Sequence, residues 1–301
     1  MDKFRSLFAI PRSIVQSIRL LRRQRVQRLM VLGGHASVGP GLAARILGIP
    51  VFILEPNASF GKANRLLARV ARTIFTSPLF NEPVSEILSR RIVCSGVPLR
   101  AELRRIASKH DAKQASRSGL RNLLILGGSL GHDDVNLNMP GVCGALIKEG
   151  FEMRVVHQCG VQRVQSDLDH AYRMNDVEAH VVSYIDDIAE QYDLADVIVS
   201  AAGAISLAEL SMVGKPAVIV PLKDAAGQHQ LENAIQFETF TGAPVVVHSD
   251  KMANDLTSAL TQSLTSPAGG NKDERSMTRF WSPDAHAVIV SHLEKVGESH
   301  D

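Results

Sequence analysis

The sequence contains few cysteines, few aromatic residues and no long apolar run, and each scarcity excludes a class of protein. Three of its 301 residues are cysteines and only 5% are aromatic. An odd number of cysteines without a secretory signal argues against a disulfide-stapled secreted domain and fits a reducing cytosol. No apolar run reaches the ~18 residues that a transmembrane helix requires. The net charge of +2 gives no general indication of nucleic-acid binding, so no nucleic-acid partner is predicted.

Several familiar catalytic motifs are also missing. The sequence has no G-x-x-x-x-G-K-S/T, no G-x-S-x-G and no H-E-x-x-H motif, which disfavours P-loop NTPases, α/β-hydrolases and zinc proteases. Asp167-Leu168-Asp169 resembles a metal-binding motif of one class of sugar transferases, but it lies in a polar helical stretch, and a solvated helix face is the favoured interpretation. His157-Gln158-Cys159 offers too few soft ligands for a metal and is interpreted as a core strand. We therefore predict neither a metal nor an organic cofactor.

What the sequence does contain is an alternation of apolar strands and helices, repeated twice. Hydrophobic residues make up 45% of the chain, mostly as Ala, Val, Ile and Leu, which suits parallel strands buried on both faces. One series runs from RLMVL (28–32) to RIVCSG (91–96). A second series runs from RNLLILGGS (121–129) to APVVVHS (243–249), and a closing helix follows it.

The polar stretch 106–120 separates the two series and is the predicted domain boundary. Strand–helix alternation of this kind predicts an α/β protein with two doubly wound parallel sheets. We assign residues 1–112 to the first domain and residues 113–301, with the closing helix, to the second. Ligands of such sheets bind at the carboxyl ends of the strands, here in the cleft expected between the domains.

Positive charge is concentrated at the start of the chain. Residues 1–28 hold eight basic residues and one acid, and residues 12–29 carry apolar residues near helical spacing with arginines between them. Pro11 is expected to open this helix. Three interpretations stay open: a packed helix with a solvated basic face, a helix that contacts an anionic membrane surface, and a cleaved transit peptide. The third is disfavoured because the helix runs into the strand RLMVL without a linker.

Three glycine-rich turns are candidate phosphate-binding loops, because each follows a predicted strand and precedes a predicted helix. Free N–H groups and the positive end of the helix dipole favour an anion there, and glycine lets the backbone approach it closely. The alternative is a strand–helix turn that merely packs tightly. The spacing is not G-x-G-x-x-G, so NAD binding is not inferred. The loop residues are Gly33 and Gly34, Gly127 and Gly128 with Ser129, and Gly203.

The segment after the third glycine turn suggests a ribose site. We expect Ser206 to cap the helix and Glu209 to fall in its first turn, where the helix dipole stabilises a carboxylate. Such a carboxylate can accept two hydrogen bonds from a ribose diol, whereas a dipole-matched surface residue is the alternative. Further along the chain, His229, Gln230 and Asn233 lie at a loop–helix junction. They would either read the hydroxyls of a sugar or belong to an ordinary capped helix.

Taken together, these segments resemble the MurG family of bacterial glycosyltransferases. They occur in the family's order, cover nearly the whole chain, and read GGHASVGPGLAARILGIPVFILEPNASFGKANRLLA, SGVPLRAEL, LLILGGSLG, VVHQCG, YIDDIAEQYDLADVIVSAAGAISLAEL, GKPAVIVPL and HQLENA. The resemblance implies a GT-B fold of two Rossmann-like domains, of which the second binds most of a UDP-sugar. The first domain is expected to be incomplete at its N-terminus, because the family's opening strand and GGTGGH loop have no counterpart here.

The resemblance also implies an enzymatic activity, an inverting transfer of N-acetylglucosamine from UDP-N-acetylglucosamine to lipid I, which gives lipid II for peptidoglycan synthesis. The acceptor hydroxyl would attack the anomeric carbon without a metal, and backbone N–H groups would stabilise the departing diphosphate. The implied partners are UDP-N-acetylglucosamine, lipid I and an anionic membrane surface. The implied location is peripheral, on the cytoplasmic face of the bacterial inner membrane.

By position in the motifs, the resemblance assigns donor-binding roles to residues of both domains. Ile185 would meet the uracil, and Gln230 would hold a hydroxyl of the sugar. The residues from Ala204 to Glu209 would wrap the diphosphate and the ribose, with Glu209 on the ribose. The residues assigned in this way are Asn57, Arg100, Ser129, Ile185, Ala204, Ile205, Ser206, Leu207, Ala208, Glu209 and Gln230.

Departures from the family pattern leave open whether this chain catalyses the transfer. The His of the family's GGTGGH loop is a candidate catalytic group, and here only His35, in the second glycine loop, offers a weak substitute as base. Pro56 replaces the Gln of the family's EQN turn, and Ala201 replaces an Arg near the diphosphate. A sheet without its opening strand is expected to expose an edge. Two alternatives therefore stay beside the transferase: a catalytically impaired homologue that binds nucleotide sugars or membrane surfaces, and another GT-B enzyme such as a UDP-sugar epimerase.

Overall fold

The chain divides into two compact units. Unit 1 comprises Met1–Pro98 together with Ser282–Asp301, and unit 2 comprises Leu99–Trp281. In each unit the described strands form one parallel sheet. The computed structural model describes residues 3–103, 119–161, 164–223, 228–265 and 284–295.

Unit 1 is built on a four-stranded parallel sheet in the order β1-β2-β3-β4. Its strands are β1 (Leu29–Val31), β2 (Val51–Glu55), β3 (Thr73–Thr76) and β4 (Ile92–Cys94), and its helices are α1 (Lys3–Arg23), α2 (His35–Ile46), α3 (Lys62–Leu67), α4 (Glu86–Ser89) and α11 (Ala285–Glu294). The described strands follow one another in a single direction, with β1 at one edge. All five residues of β2 are buried, as expected for an inner strand that is covered on both faces.

Alternate residues of β2 point to opposite faces of this sheet, and each face has its own cover. Val51 and Ile53 belong to a core cluster with residues of α1, α2 and α3. Phe52 belongs to a second cluster with Ile289 of α11. The closing helix therefore packs on unit 1, which corrects the prediction that placed it in the second domain, because this apolar face of the first sheet is what it covers. The domain boundary predicted at residue 112 lies outside the described residues.

The basic N-terminal helix differs in its bounds from the prediction over residues 12–29. Because α1 spans Lys3–Arg23, Pro11 lies inside the helix and not at its first position. The helix crosses α2 at small residues, since a Cβ at Gly39 would lie 2.0 Å from Ser13 Oγ. Leu21 is buried in the core of unit 1. This helix is thus part of the packed fold of unit 1, with its arginines at residues 12, 19, 22 and 23 exposed.

Unit 2 is built on a five-stranded parallel sheet in the order β7-β6-β5-β8-β9. Its strands are β5 (Leu120–Leu126), β6 (Glu152–Gln158), β7 (Ala179–Val182), β8 (Val197–Ala201) and β9 (Ala217–Val220), and its helices are α5 (Asp133–Lys148), α6 (Gln165–Met174), α7 (Ile188–Leu194), α8 (Ala204–Val213), α9 (Gln228–Thr241) and α10 (Met252–Thr265). The chain builds outward from β5 to β7 and then returns to add β8 and β9 on the other side. This reversal confirms the predicted doubly wound sheet, and the general rule for such sheets makes the carboxyl ends of β5 and β8 the candidate ligand-binding edge.

The last predicted strand, APVVVHS, makes only one isolated bridge, between Ile219 and Val245. Two backbone hydrogen bonds accompany it, from Ile219 N–H to Pro244 O and from Val246 N–H to Ile219 O. Pro244 has no N–H group to donate, so the ladder cannot continue through it. The prediction of a full strand at this position was wrong for that reason.

Candidate functional site

The loop after β5 carries the clearest of the predicted phosphate-binding motifs, and its glycines are required by close packing. Gly128 and Gly131 adopt φ angles of 78° and 95°, which residues with a side chain rarely adopt. A Cβ at Gly131 would lie 2.4 Å from Cys159 O, and a Cβ at Gly160 would lie 2.1 Å from Gly131 N. The loops after β5 and β6 therefore pack backbone against backbone.

His132 anchors the same loop to two neighbouring elements. Its Nε2 donates to Val220 O at the end of β9 at 3.1 Å, and its Nδ1 accepts from Val135 N–H at 3.4 Å, which caps α5. The ring is buried, and burial lowers the pKa of His132, so that the neutral ring is favoured. Sequence analysis missed this residue. A polar residue directly before the Asp-Asp pair that opens the helix is the signal that could have indicated a cap.

The two helix starts at this edge of unit 2 differ in charge. α5 begins with Asp133 and Asp134, two carboxylates that offset the positive end of its dipole, and Asp134 also pairs with His248 at 3.0 Å. In α8 the first turn holds no acidic residue, and Gly203 is an N-cap without a side-chain hydrogen bond from the described residues. The start of α8 is therefore the better anion site of the two. Ser129 lies exposed in the loop before α5.

Two details of α8 differ from the prediction. The helix begins at Ala204, with Gly203 in the extended N-cap conformation, so Ser206 is its third residue and does not cap it. Glu209 is consequently the sixth residue and lies in the second turn, beyond the reach of the strongest dipole effect. The charge of Glu209 must be stabilised by other groups.

Fewer residues of α8 can bind a diphosphate through their N–H groups than the sequence analysis predicted. Leu207 N–H donates to Gly203 O at 2.9 Å, and the side chains of Leu207 and Ala208 are buried. Helix geometry leaves the N–H groups of the first turn without intrahelical partners. Of the six predicted residues, Ala204 to Glu209, those with such N–H groups are Ala204, Ile205 and Ser206.

Glu209 lies in a partly buried polar cluster within unit 2. The Tyr192 hydroxyl, on α7, donates to Glu209 Oε2 at 3.0 Å, and Tyr192 is only 1% exposed. Burial raises the pKa of Glu209, whereas the Tyr192 hydrogen bond and the positive charge of Arg100 oppose that rise. Arg100 forms a hydrogen bond with Tyr184, and this contact raises the pKa of Arg100. Two predicted donor residues, Arg100 and Glu209, are thus coupled electrostatically.

A cavity of ≈ 510 Å³ in unit 2 includes Arg100 in its lining, and its volume suits a small organic ligand. Ile185, which directly precedes lining residues, donates its N–H to Gln158 Oε1 at 3.0 Å. Gln158 is buried, and the sequence analysis interpreted it only as part of a core strand. Its hydrogen bond to the loop at Ile185 was therefore not predicted. The other lining residues are Glu102, Leu103, Asp186, Asp187, Ile188 and Ala189.

The two side-chain amides that were predicted to bind the hydroxyls of a sugar, those of Gln230 and Asn233, lie on α9. Each forms a hydrogen bond with the backbone. Asn233 is fully buried, and its Nδ2 donates to Ala202 O at 3.2 Å, which fixes α9 against the turn before α8. Gln230 Oε1 accepts from Leu222 N–H at 3.2 Å. The role of Gln230 toward a sugar hydroxyl stays a prediction, and its Nε2 group is the one that would serve it.

Asn57, a predicted donor-binding residue of unit 1, contacts a buried carboxylate. Glu55 is 1% exposed and accepts four hydrogen bonds at 2.8–3.2 Å, from Asn57 N, Asn57 Nδ2, Gly61 N and Asn64 Nδ2. Asn64 also packs against the second glycine loop, since a Cβ at Gly33 would lie 3.1 Å from Asn64 Nδ2. Glu55 and Asn64 therefore join the Asn57 turn to that loop.

The start of α2 is open to solvent. Gly34, with a φ of 76°, is its N-cap, and His35 is its exposed first residue. This arrangement does not test whether His35 accepts a proton from an acceptor hydroxyl, so its role as base stays a prediction.

The two segments that were rejected as metal sites belong to a surface helix and to a buried strand of unit 2. Asp167 is exposed on α6 while Leu168 is buried, as expected for a solvated helix face. His157 is fully buried with its Nδ1 2.7 Å from Tyr172 OH, and burial lowers the pKa of His157 to about 3. Within the ranges that the structure describes, no three His, Cys, Asp or Glu residues form a group able to hold a metal ion. The same ranges contain no helix that meets the length and hydropathy of a membrane span.

Two family models match the chain, one for each unit. The glycosyltransferase family 28 C-terminal domain matches residues 122–287, and the glycosyltransferase family 28 N-terminal domain matches residues 1–76.

Curated relatives match across nearly the whole chain. The UDP-N-acetylglucosamine--N-acetylmuramyl-(pentapeptide) pyrophosphoryl-undecaprenol N-acetylglucosamine transferase of Sorangium cellulosum is 34% identical over 281 residues, which is 91% of this chain and 66% of the relative. The protein of the same name in Acinetobacter baumannii strain AYE is 33% identical over 298 residues, which is 98% of this chain and 79% of the relative.

Solved structures agree with these matches. MurG of Acinetobacter baumannii superposes with a TM-score of 0.74 at 29% identity and covers 96% of this chain, which spans 80% of that protein. A UDP-GlcNAc 2-epimerase from Neisseria meningitidis bound to UDP-GlcNAc superposes with a TM-score of 0.66 at 15% identity over 95% of this chain and 81% of its own. The second likeness shows the fold alone.

Proposed function

Because this chain belongs to glycosyltransferase family 28 and, within it, to the MurG enzymes, we propose that it transfers N-acetylglucosamine from UDP-N-acetylglucosamine to lipid I. Lipid I is the undecaprenyl-diphosphate-linked acceptor, and the product would be lipid II for peptidoglycan synthesis. The structural observation that carries the proposal is the combination, in unit 2, of an uncapped helix start with a half-buried carboxylate on the same helix.

The donor diphosphate would bind at the start of α8. The first-turn N–H groups there lie at the positive end of the helix dipole, and that turn holds no acidic residue to compete for them. β5 and β8 are neighbours in the sheet, so the turns that follow them lie at the same edge. The loop after β5, with Gly127, Gly128 and the exposed Ser129, would supply further donors to the diphosphate.

The ribose would bind to Glu209. This residue lies five positions beyond Ala204, about 7.5 Å along the helix axis, a separation that an extended nucleoside diphosphate can bridge. An ionised Glu209 would accept one hydrogen bond from each ribose hydroxyl. The uracil would lie beside Ile185 and the cavity that Arg100 lines, and Gln230 and Asn57 would contact the sugar.

The transfer would be an inverting displacement at the anomeric carbon. The acceptor hydroxyl forms the new glycosidic bond while the bond to the diphosphate oxygen breaks, and UDP leaves with the electron pair. N–H groups aimed at that oxygen stabilise its growing charge. His35 is the candidate base for the hydroxyl proton.

The acceptor carries a lipid, and α1 offers a surface that suits an anionic membrane. Its exposed residues include four arginines and three large apolar residues, Ile10, Val15 and Leu20, which are 46%, 49% and 58% exposed. Arginines and apolar side chains on one helix are the combination that binds anionic lipid surfaces peripherally. Together with the lipid-linked acceptor, this surface supports our proposal that the enzyme acts peripherally on the cytoplasmic face of the bacterial inner membrane.

Two measurements on the full chain test the proposed activity. Calorimetric titration with UDP is expected to show binding, and an assay with labelled UDP-N-acetylglucosamine and a soluble lipid I analogue is expected to show the disaccharide product. Binding without transfer would overturn the transferase and leave a nucleotide-sugar-binding protein. The absence of binding at millimolar UDP would overturn the donor site as well.

A third measurement tests the membrane surface. The chain is expected to sediment with anionic vesicles, and less so as salt rises. Replacing Arg19 and Arg22 by Glu should weaken this binding, whereas Arg90→Glu, at the exposed C-cap of α4, should not. Equal sedimentation with zwitterionic vesicles would overturn the proposed surface.

A further inference from the structure

We propose that Tyr192 is a positioning residue for the nucleotide, whose hydroxyl holds one oxygen of the Glu209 carboxylate so that the carboxylate meets the ribose diol in a fixed orientation. The inference rests on the proposed donor role of Glu209. Tyr192 lies on α7, and its hydroxyl is 3.0 Å from Glu209 Oε2. Neither the motifs nor the resemblance assigns Tyr192 a role.

The burial of Tyr192 makes this contact a rigid one. The residue is 1% exposed, so its ring is held by the surrounding core and its hydroxyl has little freedom to turn to solvent. A buried tyrosine hydroxyl usually has a hydrogen-bond partner, and here that partner is a side chain on the helix whose start is proposed to bind the diphosphate. The contact therefore joins the core of unit 2 to the ligand-binding helix.

The Glu209 carboxylate keeps hydrogen-bond acceptor positions that a ligand can use. Each carboxylate oxygen can accept two hydrogen bonds, and Tyr192 uses one position on Oε2. Two adjacent ribose hydroxyls can then donate one bond to each oxygen. Because the carboxylate is already oriented, binding does not have to immobilise a flexible glutamate side chain.

The charges around Glu209 favour its ionised form. Burial raises the pKa of Glu209, and two groups oppose it, the Tyr192 hydroxyl from α7 and the Arg100 guanidinium. Arg100 is itself hydrogen-bonded to Tyr184 and near Glu102. Without the Tyr192 hydroxyl, the pKa of Glu209 would be higher and the ionised acceptor would be lost at a higher pH.

The test compares Tyr192→Phe with Tyr172→Phe in the full chain. Both changes remove one buried hydroxyl from unit 2, but the Tyr172 hydroxyl contacts His157 and not Glu209. Calorimetry with UDP and with 2′-deoxy-UDP is expected to show that Tyr192→Phe weakens UDP binding about tenfold and 2′-deoxy-UDP binding much less. Tyr172→Phe should keep the wild-type ratio of the two affinities even if it lowers stability.

The pH dependence gives a second readout that a loss of packing would not move. The fall in UDP affinity toward acid is expected to begin at a higher pH in Tyr192→Phe than in the wild type, and to be unchanged in Tyr172→Phe.

The outcomes separate this proposal from the one on which it rests. If Tyr192→Phe weakens both ligands equally, or changes neither, the positioning role is overturned while the donor site stands. If the wild type binds UDP but does not distinguish it from 2′-deoxy-UDP, the ribose contact of Glu209 is overturned, and the role of Tyr192 with it. If the wild type does not bind UDP, both the donor site and this role are overturned.

Discussion

Each unit contains a carboxylate with limited access to solvent, and the two carboxylates are satisfied in different ways. Glu55 in unit 1 is 1% exposed and accepts four hydrogen bonds from backbone and amide donors. Glu209 in unit 2 is half-buried and lies near the cation Arg100, and among the described residues it accepts from one hydroxyl, that of Tyr192. A saturated carboxylate holds a turn together, whereas one with acceptor positions to spare can bind a ligand. Burial alone therefore does not identify a ligand-binding acid, and the number of donors around it is more informative.

Replacing Glu55 by Gln is expected to have the largest effect, which would be on stability. The new NH₂ group cannot accept from the donors around it and leaves some of them buried and unpaired. We expect the free energy of unfolding to fall by about 3 kcal/mol, measured by urea denaturation. Glu86→Gln, which removes an exposed ion pair with Arg90, is the matched control and should cost less than about 0.5 kcal/mol. Equal losses in the two variants would break the comparison.

Replacing Glu209 by Gln should have the opposite effect, a large loss of UDP affinity with a small change in stability. UDP affinity is expected to fall about tenfold to thirtyfold, because a charged acceptor of two hydrogen bonds is lost. The free energy of unfolding should change by less than about 0.5 kcal/mol, since the amide oxygen can still accept from Tyr192. Calorimetry and urea denaturation on the same preparation check both halves. A destabilised variant with unchanged UDP affinity would reverse the assignment of the two acids.

Replacing Asn57 by Ala should have an intermediate effect in unit 1. It removes one of the four donors to Glu55, and about 1 kcal/mol of unfolding free energy is expected to be lost. Separate titrations with UDP and UDP-N-acetylglucosamine examine the predicted donor contact of Asn57. Weaker binding of the sugar nucleotide with unchanged UDP binding would support that contact, and equal binding of both would remove it.

The smallest expected effect is on the pH dependence of stability. Because burial raises the pKa of folded Glu209 above its unfolded value, the contribution of this group is favourable below the unfolded pKa and is lost as pH rises through the folded pKa. Relative to Glu209→Gln, the wild type should therefore lose stability, by less than about 1 kcal/mol, between about pH 4.5 and about pH 7.5. Urea denaturation of both proteins at the two pH values measures the difference. A change of the opposite sign would mean that Tyr192 and Arg100 outweigh burial.

The sheets were predictable because they follow from short-range patterns. The continuous apolar run RNLLILGGS was predicted correctly as a strand, and it forms β5. Glycines directly after a strand indicated the loop at Gly128, whose positive φ requires that residue type. The family resemblance was likewise carried by local motifs, and the comparisons confirmed it.

The parts that could not be predicted depend on contacts between distant residues. Both Gly203 and Ser206 are acceptable helix caps, so the register that places Glu209 in the second turn was not evident. Tyr192 is 17 residues from Glu209, and no periodicity relates them. The sequence of an apolar helix such as α11 does not indicate which sheet it covers.

The return of α11 to unit 1 sets an order for folding during translation. Phe52 and Phe75 lie on the sheet face that this helix covers through Ile289, and the helix is synthesised after all of unit 2. Unit 2 is contiguous in sequence and can close before the first sheet receives its final layer. Nascent unit 1 therefore presents an aromatic surface to chaperones while its partner is already folded. A fragment that ends at Pro98 would keep that surface bare, so Leu99–Trp281 is the module suited to separate expression.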